Sequence, residues 1–130
     1  NHECLGFLVD QHGESEDTFG EFFGNIVSIP SGPALFAYKT GAPIVPVFIR
    51  RTKDDRHEII FHPVIHIDSN GDKEVEVHKV SQEIYKILEK NIKEKPDEWL
   101  WIYERWNKLS PEAQEIASSM QKLKSKEVST

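Results

Sequence analysis

A chain of 130 residues with 38% hydrophobic and 29% charged side chains can fill one compact core, which excludes disorder throughout. Its 22 acidic against 16 basic side chains leave a formal charge of −6. That excludes wholesale nucleic-acid binding, which needs a basic face to meet phosphates.

The chain opens at Asn1-His2-Glu3-Cys4 without an initiator Met. We therefore expect part of a longer protein, with any membrane attachment upstream. No run approaches the ~18 apolar residues that span a bilayer, and no basic stretch before an apolar one marks a signal peptide. Cys4, the single cysteine, cannot form an internal disulfide and is expected as a small buried hydrophobe rather than a nucleophile.

The run Cys4–Val9 is short and continuously apolar and predicts a buried strand of a parallel sheet, ending at Asp10-Gln11. Residues 12–24 follow as an acidic, glycine-containing loop with Phe19, Phe22 and Phe23 interspersed. Ser31-Gly32-Pro33 predicts a helix start, with Ser31 as N-cap and Pro33 in the first turn. Gly41 followed by Pro43 stops that helix. Ile44–Ile49 predicts a second strand ending at Arg50-Arg51, with Pro46 placing a bulge or an edge there. Strand, helix and strand in this order predict a βαβ unit. His57–Ile67 predicts a strand antiparallel to the one before it, interrupted by Pro63.

From Glu74 to Lys93 the apolar residues Val77, Val80, Ile84, Ile87, Leu88 and Ile92 mark an amphipathic helix. Beyond Pro96, Trp99, Ile102, Tyr103 and Trp106 predict a second helical segment. Ser110-Pro111-Glu112 begins a peripheral, mostly polar helix with Ile116, Met120 and Leu123 as its stripe. The fold class expected is α/β, a mixed, mainly parallel sheet flanked by helices.

Functional groups of open α/β sheets gather at the carboxyl ends of strands. Asp10-Gln11 and Arg50-Arg51 occupy two such ends. If the two strands are neighbours, they form either a site for a polar or phosphorylated headgroup, with Arg as a bidentate donor, or an ion pair closing the sheet. The helix start at Ser31-Gly32-Pro33 offers N–H groups to an anion, although most such starts bind nothing. His62 and His66 share a strand face but lie about 13 Å apart by strand rise, too far for one zinc; no metal site is expected. Trp101 and Arg105 belong either to a core-packing helix or to an apolar groove or membrane interface.

Four short blocks, in order, carry a resemblance. They are Asp10-Gln11 after an apolar run, Phe22-Phe23-Gly24, the stretch Ala37 to Arg50 with its Thr-Gly-Ala-Pro-Ile-Val-Pro centre, and Pro96-x-x-Trp99-x-Trp101 continuing to Arg105-Trp106. Together they resemble the bacterial lipid A biosynthesis acyltransferases, also called lauroyl/myristoyl acyltransferases, over roughly residues 4–106.

The resemblance implies a partial glycerolipid-acyltransferase-like fold in residues 1–107, with 108–130 a peripheral helical tail. It implies transfer of a fatty acyl chain from an acyl-carrier-protein or CoA thioester to a glycolipid hydroxyl. The work would occur at the cytoplasmic face of the inner membrane, without a cofactor and with membrane attachment through a segment absent here; this portion by itself would be soluble. Substrate-binding roles fall on Asp10, Gln11, Arg50 and Arg105. The wider glycerolipid acyltransferases use a His-x-x-x-x-Asp/Glu dyad, in which His takes the hydroxyl proton and the carboxylate supports it. No such dyad precedes Asp10-Gln11, and the spacing match His12–Asp17 lies after it, so no catalytic residue is assigned in this chain. The expectation is a C-terminal portion, inactive alone, that leaves an apolar patch where the rest of the domain would pack. A non-catalytic binding or accessory module with the same fold is the alternative.

Overall fold

The computed structural model describes residues 3–11 and 18–102, and further on 111, 114–116 and 118–119. Its elements are β1 (Thr18–Phe22), β2 (Asn25–Ile29), α1 (Gly32–Thr40), β3 (Val47–Arg51), β4 (His57–Phe61) and α2 (Lys73–Glu94), followed by a 3₁₀ turn at Pro96–Glu98.

The class is mixed α/β, but the expected mainly parallel sheet is replaced by two antiparallel hairpins. β1 pairs with β2 and β3 pairs with β4. The predicted βαβ unit does not form, because Cys4–Val9 was to be its first strand and β3 pairs with β4 alone. Cys4–Val9 is not a strand, Cys4 is exposed, and Leu8 is 94% exposed. An apolar run becomes a strand only where a neighbouring edge accepts its backbone groups, and neither hairpin pairs with this one. The segment is held by side chains instead. Phe7 packs near Phe36 of α1 with ring centroids 6.1 Å apart. The Tyr85 hydroxyl lies 2.8 Å from the Val9 carbonyl and 3.1 Å from that of Gln11.

The β1–β2 hairpin falls where a loop was expected. Its turn is Phe23-Gly24, with φ of 50° and 78°, and the register Phe22↔Asn25 leaves a two-residue connection. Two successive positive φ values suit the right-handed twist of a tight hairpin. Gly24 takes this conformation freely, while a left-handed Phe costs about 1–2 kcal/mol. Tertiary contacts offset that cost. The Phe23 N–H donates to Glu89 Oε1 at 2.7 Å, Phe22 meets its ring edge-on at 4.8 Å, and Lys93 Nζ sits 5.4 Å from the ring centroid.

The helices follow the sequence closely. Gly41 caps α1 in the left-handed region, its N–H donating to Ala37, and Pro33 lies in the first turn; Ser31 is the N-cap residue, although its side chain makes no capping bond. α2 begins at Asp72, whose carboxylate accepts from the Val75 N–H at 3.0 Å. Glu74 and Glu76 stand in its first turn and Lys93 in its last, each sign matching the helix dipole. Its stripe Val77, Val80, Ile84, Tyr85, Leu88 and Ile92 meets Phe22, Val27, Ile29, Ala34 and Ile65 in one core, with Ile87 at the margin.

β3 starts one residue after Pro46, and the pairing resumes beyond both prolines as a bridge between Ile44 and Ile65. Alternation gives the β3–β4 hairpin two unlike faces. Phe48, Arg50, Ile60 and His62 are half-buried, while the cross-strand pairs Val47–Phe61 and Ile49–Ile59 are exposed. Exposed apolar side chains therefore line this hairpin face, and Leu5, Phe7 and Leu8 are exposed as well.

Trp99 packs partly buried at the core's edge, 6.2 Å from Phe22. The predicted helix over Trp99–Trp106 does not begin there, because Trp99 is extended and residues 101–102 form a turn. Tyr103–Trp106 lie outside the described residues, as does most of the predicted last helix.

Candidate functional site

The described residues converge on one polar cluster, between the inner face of β3–β4 and the last turns of α2. Arg50 is the fourth residue of β3, and alternation sends it toward α2 while Arg51 points away. Arg50 Nη2 donates to Asn91 Oδ1 at 2.7 Å and to Glu94 Oε2 at 2.5 Å. Its side chain is only 19% exposed, whereas that of Glu94 is 45% exposed. Arg51 is exposed and pairs with Asp55 at 3.1 Å.

Asn91 is buried and organises the cluster. Arg50 can only donate, so the Asn91 oxygen must face it. The Asn91 amide nitrogen then donates to the Ile87 carbonyl at 2.8 Å and approaches His62 Nε2 at 3.0 Å. In this arrangement His62 accepts at Nε2, and its imidazole meets Phe48 edge-on at 5.2 Å. The hydrogen bond from Arg50 holds the Glu94 carboxyl below its ordinary value. Partial desolvation opposes that effect, and the charges of Arg50 and Lys90 assist it.

Asp10 and Gln11 are exposed at the end of the extended segment. Both bonds from Tyr85 go to carbonyls flanking or following Asp10, so the backbone there is fixed from α2. The parallel rim that was to set them beside Arg50 is absent, and the partners of Arg50 are Asn91 and Glu94 instead. Arg105 lies outside the described residues. Trp101 is half-exposed, donates its indole N–H to the Pro96 carbonyl at 2.6 Å and packs 6.3 Å from Phe23. Leu100 and Ile102 beside it are exposed.

Asn91 and Glu94 escaped the sequence reading, although Asn91 left a trace. It stands seven residues after Ile84 and next to Ile92, a polar residue inside an apolar stripe, and such a position calls for a partner. Glu94 left none, since a carboxylate at the exposed end of a helix is ordinary.

An open depression of about 240 Å³ is lined by Glu21, Gln82, Lys86 and Glu89. Gln82 and Glu89 already spend their side chains on backbone groups of β1 and its turn. Among the described residues no group of His, Cys, Asp and Glu could hold a metal ion, and no helix is long and apolar enough to cross a membrane.

No curated protein matches the sequence. A family model described as bacterial lipid A biosynthesis acyltransferase matches residues 1–108, a span that takes in both hairpins, both long helices and the Arg50 cluster. The chain therefore belongs to the bacterial lipid A biosynthesis acyltransferase family, and with it to the transferases that use an acyl donor and a lipid acceptor.

Proposed function

We propose that this chain is the acceptor-side portion of an acyltransferase that moves a fatty acyl chain from an acyl-carrier-protein or CoA thioester to a glycolipid hydroxyl of a lipid A precursor. The family match over residues 1–108 carries the reading. Arg50 supports it as the partly buried cation of a polar cluster at the end of a strand, where it would contact a headgroup phosphate. Asp10 and Gln11, set by Tyr85, and Arg105 are proposed to contribute to the same substrate. The reaction needs a base to take the hydroxyl proton, and no His-x-x-x-x-Asp/Glu precedes Asp10 in these residues. In this reading, residues 1–107 bind and position, the tail 108–130 is peripheral, and the work occurs at the cytoplasmic face of the inner membrane.

The test is transfer of a labelled acyl group from acyl carrier protein to a lipid A precursor. The natural full-length gene product should turn over, and the 130-residue chain alone should not. Turnover by the chain alone, abolished by His12→Ala, would overturn the division of labour. A full-length product that binds the precursor without turnover would favour an accessory module.

A further inference from the structure

Arg50 bears a conflict that the headgroup reading must resolve. A guanidinium offers two bidentate edges, Nη1 with Nη2 and Nε with Nη2, so both edges share Nη2. Each edge uses one of the two Nη2 protons. Here Asn91 and Glu94 each accept from Nη2, and neither edge is left whole. Among the described residues, no acceptor faces Nε or Nη1. An anion arriving at this state meets half-edges only.

The two occupants differ in how they are held. Asn91 is buried, and its amide nitrogen is tied to the Ile87 carbonyl and to His62. It cannot leave without stranding those groups. Glu94 is half-exposed and is the last residue of α2, and among the described residues its side chain makes no other hydrogen bond than that to Arg50. Rotation of its side chain into water would release one Nη2 proton and restore one complete edge, while Asn91 kept the other and fixed the plane of the guanidinium.

We propose that Glu94 is an internal competitor for the Arg50 anion site, a carboxylate that occupies the guanidinium until a phosphate oxyanion displaces it, with Asn91 as the positioning residue that stays in place. This rests on the reading of Arg50 as a headgroup contact and adds that the contact is closed at rest. The ligand chemistry is a phosphate group with two oxygens free to take adjacent N–H donors, supplied by a lipid headgroup or by a small phosphate. Glu94 lowers affinity for either, since each ligand must first break a charge-assisted bond.

The experiment titrates the 130-residue chain and its Glu94→Gln, Glu94→Asp and Arg50→Lys variants with methyl phosphate, following the arginine Nε–H resonances. A second arm measures binding to phosphatidylcholine vesicles with and without phosphatidic acid. Glu94→Gln should bind at least threefold more tightly than the parent, Glu94→Asp should fall between, and Arg50→Lys should lose at least threefold. Binding in the methyl phosphate arm assigns a small phosphate as sufficient, and binding confined to phosphatidic acid vesicles assigns a lipid headgroup; either supports the proposal when the variants keep that order of affinity. If Arg50→Lys weakens binding while both Glu94 variants match the parent or bind more weakly, competition is overturned and the headgroup site stands. If Arg50→Lys binds like the parent, or nothing binds in either arm, the headgroup reading falls and the competition with it. Glu94→Asp keeps the charge at the helix end, so it serves if Glu94→Gln does not fold.

Discussion

The side-chain amide of Gln82 clasps the backbone of Glu21 at both ends, accepting from its N–H at 2.7 Å and donating to its carbonyl at 2.9 Å. A carboxamide here takes the place of a third strand on the outer edge of β1. This contact joins α2 to a hairpin 61 residues earlier in sequence. It satisfies two backbone groups that a bare strand edge would leave to water or to another chain.

Gln82→Glu should therefore destabilise the chain at neutral pH more than Gln82→Ala. The carboxylate would accept from the Glu21 N–H but face the Glu21 carbonyl with no proton to donate. The loss expected for Gln82→Ala is about 1–2 kcal/mol, from two partly buried hydrogen bonds. Urea unfolding of the three proteins decides it, and equal midpoints for Gln82→Glu and the parent would show that the clasp is idle.

Tyr85→Phe keeps the buried ring, which packs edge-on against Phe22 at 5.4 Å, and removes only the hydroxyl that holds Val9 and Gln11. The expected loss is about 1 kcal/mol, with a larger local effect. Amide exchange at residues 5–11 should rise while the α2 core stays protected. Uniform exchange changes across the whole chain would mean that the hydroxyl supports the core rather than the Asp10 segment.

The Ser81 hydroxyl is buried and has no hydrogen-bond partner among the described residues. Ser81→Ala removes an unsatisfied polar atom and improves helix propensity, so it should raise stability by about 1 kcal/mol. A lowered melting temperature would reveal a partner for this hydroxyl.

The Arg50–Glu94 pair sets an acid limit on stability. Glu94 is held below its ordinary value of 4.5 chiefly by the Arg50 hydrogen bond. A depressed folded-state value means that its contribution is present above the unfolded value and is lost as pH falls through the folded one. The melting temperature of the parent should thus exceed that of Glu94→Gln at neutral pH, and the gap should close as pH drops below about 4.5. A gap that persists at pH 3 would mean that shape rather than charge distinguishes the two. Salt should narrow it as well, because Glu94 is open to water.

The exposed pairs Val47–Phe61 and Ile49–Ile59 form a continuous apolar surface on one hairpin face. Patches of a few hundred Å² at this kind of site mark interfaces. The 130-residue chain is expected to associate with a second copy through this face. Ile59→Lys with Phe61→Lys should return it to a monomer without loss of helix signal, because neither side chain enters the core. Sedimentation of the parent as a monomer at high concentration would refute this.

Periodicity and local chemistry determined α1 and α2 from the sequence alone. Gly41, Pro33 and the stripe from Val77 to Ile92 act within one or two turns, so their consequences do not wait on the rest of the fold. The antiparallel pairing of β3 with β4 was legible for the same reason, since a short polar turn at Thr52–Arg56 leaves the chain little choice. The family blocks were legible too. Strand formation at Cys4–Val9 was a different matter, because hydrophobicity makes a run fit for a sheet but only a neighbouring edge makes it a strand. The β1–β2 hairpin hid inside an acidic stretch because its turn depends on a left-handed Phe23, which Glu89, Lys93 and Phe22 stabilise from elsewhere. Arg50 was visible as a cation at a strand end. Its closure by Glu94 and its alignment by Asn91 were decided by the packing of α2 across β3, which brings together residues 41 and 44 positions apart. A side chain's type is written in the sequence, but what it touches is settled only when distant elements pack.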